Sequence, residues 1–292
     1  MLPKDILIAV GIILLWSINL LILKIFSPQI PIDFFNLMRF LCCVPLLFFF
    51  RKPTLSFLKL LLICFFWNAL NFFFLGLALR YGAKVGTISF VYQTCSFFSV
   101  LFCFLLLHER PKMHQILGMF LSFGGVALLF GEGFLQQVHH TADPWISILF
   151  VCCAAISWGV GITLIKKFRL SSDLASTVWM TSMAALPMLG IIMLKGGTAL
   201  LVESYALLTG PIILGILYAC YVANLLGNCL FFGLLKKYPS ATVTPFMLLL
   251  PIFSCLLSYC FLEERFGIVQ IFAFTVIMLG LIVNQLKREG KK

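Results

Sequence analysis

Uncharged polar side chains recur inside apolar stretches of this sequence, at spacings that gather them onto shared faces. Trp16 and Asn19 are three apart, as are Asn68 and Asn71. Ser89, Tyr92, Gln93 and Ser96 form a stripe, and Tyr221, Asn224 and Asn228 fall at i, i+3 and i+7. In a helix each set lies on one face. Amides and hydroxyls donate and accept, so together they can hold a carboxylate and an ammonium on one solute. An aromatic face adds a cation–π contact to that ammonium. The chemistry these groups suit is recognition of a neutral or zwitterionic small molecule. The candidate lining residues are Trp16, Asn19, Arg39, Asn71, Tyr92, Gln93, Trp158 and Asn228. Each has a structural alternative, since such groups also tie helices together with hydrogen bonds worth about 1 kcal/mol. Arg39 is the basic residue placed well inside an apolar segment. It could grip a carboxylate or gate a path, or it could reach the interface along its own stem.

Other chemistries find little support. The acidic residues fall at the ends of apolar segments or between them, which argues against a buried carboxylate that exchanges protons for cations. There are no paired carboxylates and no Ser/His arrangement within the apolar segments, so an intramembrane enzyme is not expected. His108 and His114 flank Glu109 without forming HExxH, and His139-His140 reads as a solvated loop. Gly131-Glu132-Gly133 lacks the phosphate-binding loop pattern. The eleven cysteines sit inside apolar segments with no CxxC, which gives neither a disulfide framework nor a metal site. No cofactor is implied.

The elements that must position these groups are membrane helices. Hydrophobic residues make up 62% of the 292 and charged residues 11%. The mean hydropathy is +1.10. A soluble domain is near 45–50% apolar and about 25% charged. Ten apolar segments can be marked, at about 5–24, 33–50, 56–79, 85–107, 114–131, 145–165, 173–194, 209–234, 241–261 and 267–286. The first is long enough to span and is read as an uncleaved helix. Pro45 and Pro187 sit inside two segments and mark kinks.

The net charge of +11 serves orientation and does not indicate a nucleic-acid partner. With the N-terminus inside, Lys4, Arg51, Lys52, Lys59, Arg110, Lys112, Lys166, Lys167, Arg169, Lys236, Lys237, Lys287, Arg288, Lys291 and Lys292 fall on the inner side. Only Lys24, Arg80, Lys84, Lys195 and Arg265 fall outside. That bias places both termini in the cytoplasm.

The halves repeat. Trp16, Lys24 and Pro45 match Trp158, Lys166 and Pro187 at an offset of 142. By the same offset the counterpart of Arg39 is Thr181. Asn71, Gly76 and Tyr81 match Asn228, Gly233 and Tyr238 at 157, and Glu109, Arg110 and Gln115 match Glu264, Arg265 and Gln270 at 155. Five segments per half is an odd number, so the second half must insert upside down. The reading is an all-α integral membrane protein with ten transmembrane helices in two inverted five-helix repeats, residues 1–133 and 134–292.

Short motifs carry a family resemblance along essentially the whole chain. In the first half they are Leu14-Leu15-Trp16-Ser17-Ile18-Asn19, Met38-Arg39-Phe40, Ala78-Leu79-Arg80-Tyr81-Gly82-Ala83 and Glu109-Arg110. In the second they are Ile156-Ser157-Trp158-Gly159, Ala241-Thr242-Val243-Thr244-Pro245, Leu248-Leu249-Leu250-Pro251 and Phe261-Leu262-Glu263-Glu264. The chain resembles the EamA-type branch of the drug/metabolite transporter superfamily. The resemblance implies a secondary transporter of small polar metabolites in the bacterial inner membrane. It points to amino-acid efflux of the cysteine and O-acetylserine kind, with the lipid bilayer and a small molecule as partners. The superfamily also moves nucleotide-type solutes and S-adenosylmethionine, so an importer or exchanger of another metabolite is the rival expectation. A nucleotide would need several deep cations, and only Arg39 is so placed.

Overall fold

A computed structural model describes residues 1–108, 111–137, 144–171, 173–238 and 243–285. Its elements, in chain order, are helices. They are α1 (Pro3–Phe26), α2 (Ile32–Leu41), α3 (Phe57–Arg80), α4 (Val85–Leu107), α5 (Met113–Gln137) and α6 (Pro144–Lys167). Then come α7 (Leu174–Lys195), α8 (Gly197–Ala206), α9 (Gly210–Leu217 continued through Tyr218–Leu226 and Gly227–Lys237), α10 (Leu249–Leu262) and α11 (Ile268–Gln285). Among the described residues seven helices are long and apolar enough to cross a bilayer, and shorter apolar helices accompany them. Helix α8 lies where the sequence reads as a loop. It keeps Leu200 and Leu201 against the core while Val202 and Tyr205 stay exposed.

The irregularities of the helices recur at the offsets seen in the sequence. Helix α2 stops at Leu41 and gives way to a 3-10 turn, Val44–Phe48. Helix α7 breaks at Ala184, after Met183. Both stops lie four residues before Pro45 and Pro187, whose rings clash with the carbonyl at that position and leave it without an N–H donor. Helix α4 is interrupted between Tyr92 and Cys95, and α10 opens after a 3-10 turn, Thr244–Leu248. Both helices then end on a non-glycine residue in the left-handed region, His108 at φ 58° and Glu263 at φ 52°. A conformation that costs roughly 1–2 kcal/mol for such residues, placed twice at equivalent positions, terminates both helices alike. The next helices begin with the same cap. Lys112 N donates to Gln115 Oε1 at 2.8 Å, and Gly267 N donates to Gln270 Oε1 at 3.3 Å. A glutamine three residues into the helix satisfies the orphan donor at its start.

Helices α3 and α9 each contain a π-helical stretch, Phe65–Leu70 in α3 and Tyr218–Leu226 in α9. A π turn frees backbone carbonyls from the i→i−4 ladder and is often found at functional sites. Two side chains take up these carbonyls. Trp16 Nε1 in α1 donates to Ala223 O at 2.8 Å, and Ser157 Oγ in α6 donates to Phe66 O at 2.7 Å. Phe66 and Ala223 are 157 apart. Helix α1, the first of its half, therefore packs on α9 of the other, and α6, the first of the second half, packs on α3.

Contacts along α1 show which way its neighbours run. At the start of α1, Asp5 accepts from Tyr238 Oη at 2.7 Å and pairs with Lys237 at 3.4 Å, both at the end of α9. At the other end of α1, Lys24 Nζ donates to Ala83 O at 2.8 Å, just past the end of α3. Helices α3 and α9 thus finish at opposite ends of α1. The Lys24 end is also where Val85 N donates to the Glu264 carboxylate at 2.9 and 3.1 Å, and where Lys84 Nζ donates to Arg265 O.

Helices α5 and α11, the last of each half, hold the halves together. A Cβ at Gly118 would lie 2.5 Å from Gly280 O, and one at Gly125 would lie 2.7 Å from Ile277 Cγ1 and 2.8 Å from Ala273 O. Ser122 Oγ donates to Ile277 O at 3.0 Å. Small residues let the α5 and α11 backbones approach closely, the usual means of helix association in lipid.

Candidate functional site

Helix α2 carries the most unusual group. Arg39 is 2% exposed, and among the described residues it is the one buried lysine or arginine. Its Nε and Nη1 have no hydrogen-bond partner there. The guanidinium carbon lies 3.8 Å from the centre of the Phe72 ring in α3 and 5.3 Å from that of Phe40. Tyr92 of α4 and Cys220 of α9 lie within electrostatic range. The buried acids are engaged elsewhere, Asp5 with Lys237 and Tyr238, Asp33 with Lys195. A buried charge costs several kcal/mol unless it is paired. The cation–π contact returns about 2 kcal/mol or more when desolvated, and leaves the guanidinium's hydrogen-bonding edge open.

One turn earlier on the same face stands Asn36, fully buried, with neither amide atom partnered among the described residues. The sequence reading did not single it out. Its spacing of three from Arg39 inside an apolar segment was the available signal.

The structure brings Asn71 and Tyr92 together across α3 and α4, with Tyr92 Oη donating to Asn71 Oδ1 at 3.1 Å. Tyr92 thereby joins Asn71 to the surroundings of Arg39. Gln93 sits at the α4 interruption and donates from Nε2 to Met247 O at 2.6 Å, a link between the halves. Asn19 is buried with its Oδ1 unpartnered. Trp16 spends its N–H on Ala223 O and packs on Phe231 at 5.5 Å. Trp158 stacks on Trp67 at 4.9 Å, beside the α3 π stretch. Asn228 Nδ2 donates to Asn224 Oδ1 at 2.7 Å, and Asn224 Nδ2 donates to Thr181 Oγ1 at 3.0 Å. Thr181 is the repeat counterpart of Arg39, so one half holds a closed amide–hydroxyl chain where the other holds a cation with open donors.

Asn68 and Asn71 part company. The sequence spacing puts them on one face of a regular helix, but the wider π turn intervenes. Asn68 Nδ2 donates to Met180 O of α7 at 3.2 Å, while Asn71 faces Tyr92 of α4. On the outer side of α2, away from Arg39, a cavity of about 440 Å³ lies between α2, α7 and α8, lined by Phe34, Leu37, Leu189 and Val202 among others. Its walls are apolar, so it offers nothing to a polar solute. The Glu109-Arg110 and His139-His140 pairs and Ala241-Thr242 lie outside the described residues.

The EamA-like transporter family matches this sequence twice, over residues 3–131 and 145–285. The chain belongs to that family. It is a multi-pass membrane transporter of the EamA type, and the two matches coincide with the two sets of recurring helix irregularities. Similar to it is the probable amino-acid metabolite efflux pump of Escherichia coli (strain K12), 26% identical over 286 residues that cover 96% of this chain and 94% of that one. A protein of the same description from Salmonella typhimurium is 28% identical over the same shares. A crystal structure 15% identical in sequence matches with a TM-score of 0.63, covering 97% of this chain and 98% of that one, which shows a shared fold. In this EamA-type transporter the buried polar groups around Arg39, Asn71 and Tyr92 come from three helices of the first half, with Cys220 of α9 facing them from the second.

Proposed function

We propose that this transporter exports small zwitterionic metabolites, neutral amino acids foremost, and that Arg39 receives their carboxylate. The observation that carries the reading is the buried guanidinium whose Nε and Nη1 donors are open, with no carboxylate beside it among the described residues. Nη2, which lies between them, can pair with either Nε or Nη1, and each such arginine edge matches a carboxylate with two parallel hydrogen bonds. A cargo that brings its own negative charge completes a site the protein leaves unpaired. The names of the bacterial relatives favour amino-acid efflux, and a multi-pass efflux protein of that kind fits the bacterial inner membrane.

The same reading takes the chain as ten spans in two inverted repeats, residues 1–133 and 134–292, with both termini cytoplasmic. Support comes from α3 and α9 ending at opposite ends of α1 and from the lysine and arginine bias of the connecting segments. Alternating access then rocks the halves about a site between them. On this view Asn71, Tyr92, Asn19 and Asn228 line the path, Trp16 and Trp158 set the packing around the π stretches, and Gln93 ties α4 to the second half.

Counterflow into proteoliposomes tests the proposal. Purified protein is loaded with unlabelled neutral amino acids and given trace labelled ones outside. Accumulation that exceeds protein-free vesicles is expected. Failure to exchange any amino acid, under an imposed proton gradient or none, would contradict it.

A further inference from the structure

Arg39 alone would accept any small carboxylate, yet the same helix face holds a second group with nothing to bond. Asn36 is fully buried, and both its Oδ1 and Nδ2 lack partners among the described residues. It precedes Arg39 by three residues in α2, which sets the two side chains about 5–6 Å apart at their Cβ atoms. Leaving a buried amide unbonded costs free energy. An amide with both atoms unsatisfied, one turn from an unpaired guanidinium, has the makings of a binding group whose ligand is not part of the protein.

We infer that Asn36 is the specificity-determining residue that distinguishes an α-amino acid from a plain carboxylic acid. The inference rests on the reading of Arg39 as the carboxylate anchor. With the carboxylate on the Arg39 fork, the α-ammonium lies one carbon away, within a helical turn of Arg39. Asn36 Oδ1 is an acceptor with no proton to compete for it, and an ammonium supplies three donors. Asn36 Nδ2 remains free to donate to the second carboxylate oxygen. A carboxylic acid without the amino group satisfies Arg39 and leaves Asn36 Oδ1 buried and unbonded, and sites built to bond a polar substrate group reject analogues that lack it. Asn71 and Asn228 are less suited to the task, since Asn71 Oδ1 already accepts from Tyr92 and Asn228 already bonds Asn224.

The test uses purified full-length protein in detergent and matched ligand pairs: L-alanine with propionate, L-serine with 3-hydroxypropionate and L-leucine with 4-methylpentanoate. Binding is read by thermal stabilisation across a concentration series. The unchanged protein should prefer the amino acid at least tenfold in one or more pairs. In Asn36→Leu that preference should fall to within about twofold while carboxylate binding persists. Leucine is close in volume, and removing a buried unbonded amide does not threaten the fold, so unliganded stability should be equal or higher. Asn36→Asp should abolish binding of both members, because a carboxylate one turn away pairs with Arg39. In Arg39→Met both members should fail to bind. A preserved tenfold preference in Asn36→Leu, with binding still dependent on Arg39, would overturn this inference and leave the carboxylate reading standing. Binding that survives Arg39→Met unchanged would overturn both.

Discussion

The guanidinium carbon of Arg39 rests 3.8 Å from the centre of the Phe72 ring, with Nε and Nη1 turned to no acceptor among the described residues. The ring supports the charge from its face and leaves the hydrogen-bonding edge for a ligand. Phe72 is itself held by an edge contact to Phe40 at 6.2 Å, so α2 and α3 together fix the plane of the cation.

Arg39→Lys should weaken amino-acid binding by about tenfold, although the charge is kept. Lysine loses the planar fork and the stacking surface. Phe72→Leu keeps the fork and should weaken it less, by about 0.5–1 kcal/mol, the low end of a cation–π contact. Equilibrium binding to the two variants checks the order. A lysine variant that binds as the original does would show that a point charge suffices.

Trp16→Phe and Ser157→Ala should each lower stability by about 1–3 kcal/mol, the cost of an unsatisfied buried acceptor. The two changes strip the side-chain donors from Ala223 O and Phe66 O, equivalent carbonyls in the two π stretches. Unfolding in detergent should report losses of the same sign for both. Normal stability with lost binding in Trp16→Phe would move that indole from packing to cargo contact.

Asn71→Ala and Asn228→Ala should cut transport while the protein still reaches the membrane. Asn71 fixes the Tyr92 hydroxyl, and Asn228 anchors the chain through Asn224 to Thr181. Quantified membrane protein alongside exchange rates separates the outcomes, since a fall in protein level would make these amides interhelical ties.

Gly125→Leu should disrupt the α5–α11 contact, where a Cβ already meets Ala273 O at 2.8 Å. Overpacking costs typically 1–3 kcal/mol. Gly124→Leu, one residue away with open space at its Cβ, is the control and should be tolerated. Comparable loss in both would deny the tight contact.

Much of this arrangement was legible in the sequence because a membrane helix announces itself by length and apolar composition. Pro45 and Pro187 gave the positions of two helix breaks directly, since the clash four residues back is a local effect. The repeat offsets paired Gln115 with Gln270, and the structure shows that both cap the helix they open. The π stretches were not legible. Phe65–Leu70 and Tyr218–Leu226 have ordinary apolar composition, and the donors that meet their carbonyls, Trp16 and Ser157, come from helices distant in sequence. Hence the pairing of Asn68 with Asn71 was misjudged. Helix α8 was missed because Gly196-Gly197-Thr198 and Glu203 resemble a loop. Its helical form rests on Leu200 and Leu201 reaching the core. Around Arg39, the sequence identified the cation but not Asn36, because a single amide one turn away stands out only once neither of its atoms is found to bond.

The central claim is that Arg39 binds the cargo's carboxylate, and exchange of an amino acid against its methyl ester tests it most directly. Proteoliposomes carrying the unchanged protein should exchange L-alanine, L-serine or L-leucine and ignore the corresponding esters, which keep the ammonium but lose the negative charge. In Arg39→Met, exchange of the free amino acid should fall at least tenfold while the reconstituted protein remains as stable as before. Equal exchange of acid and ester, or full exchange without Arg39, would contradict the account.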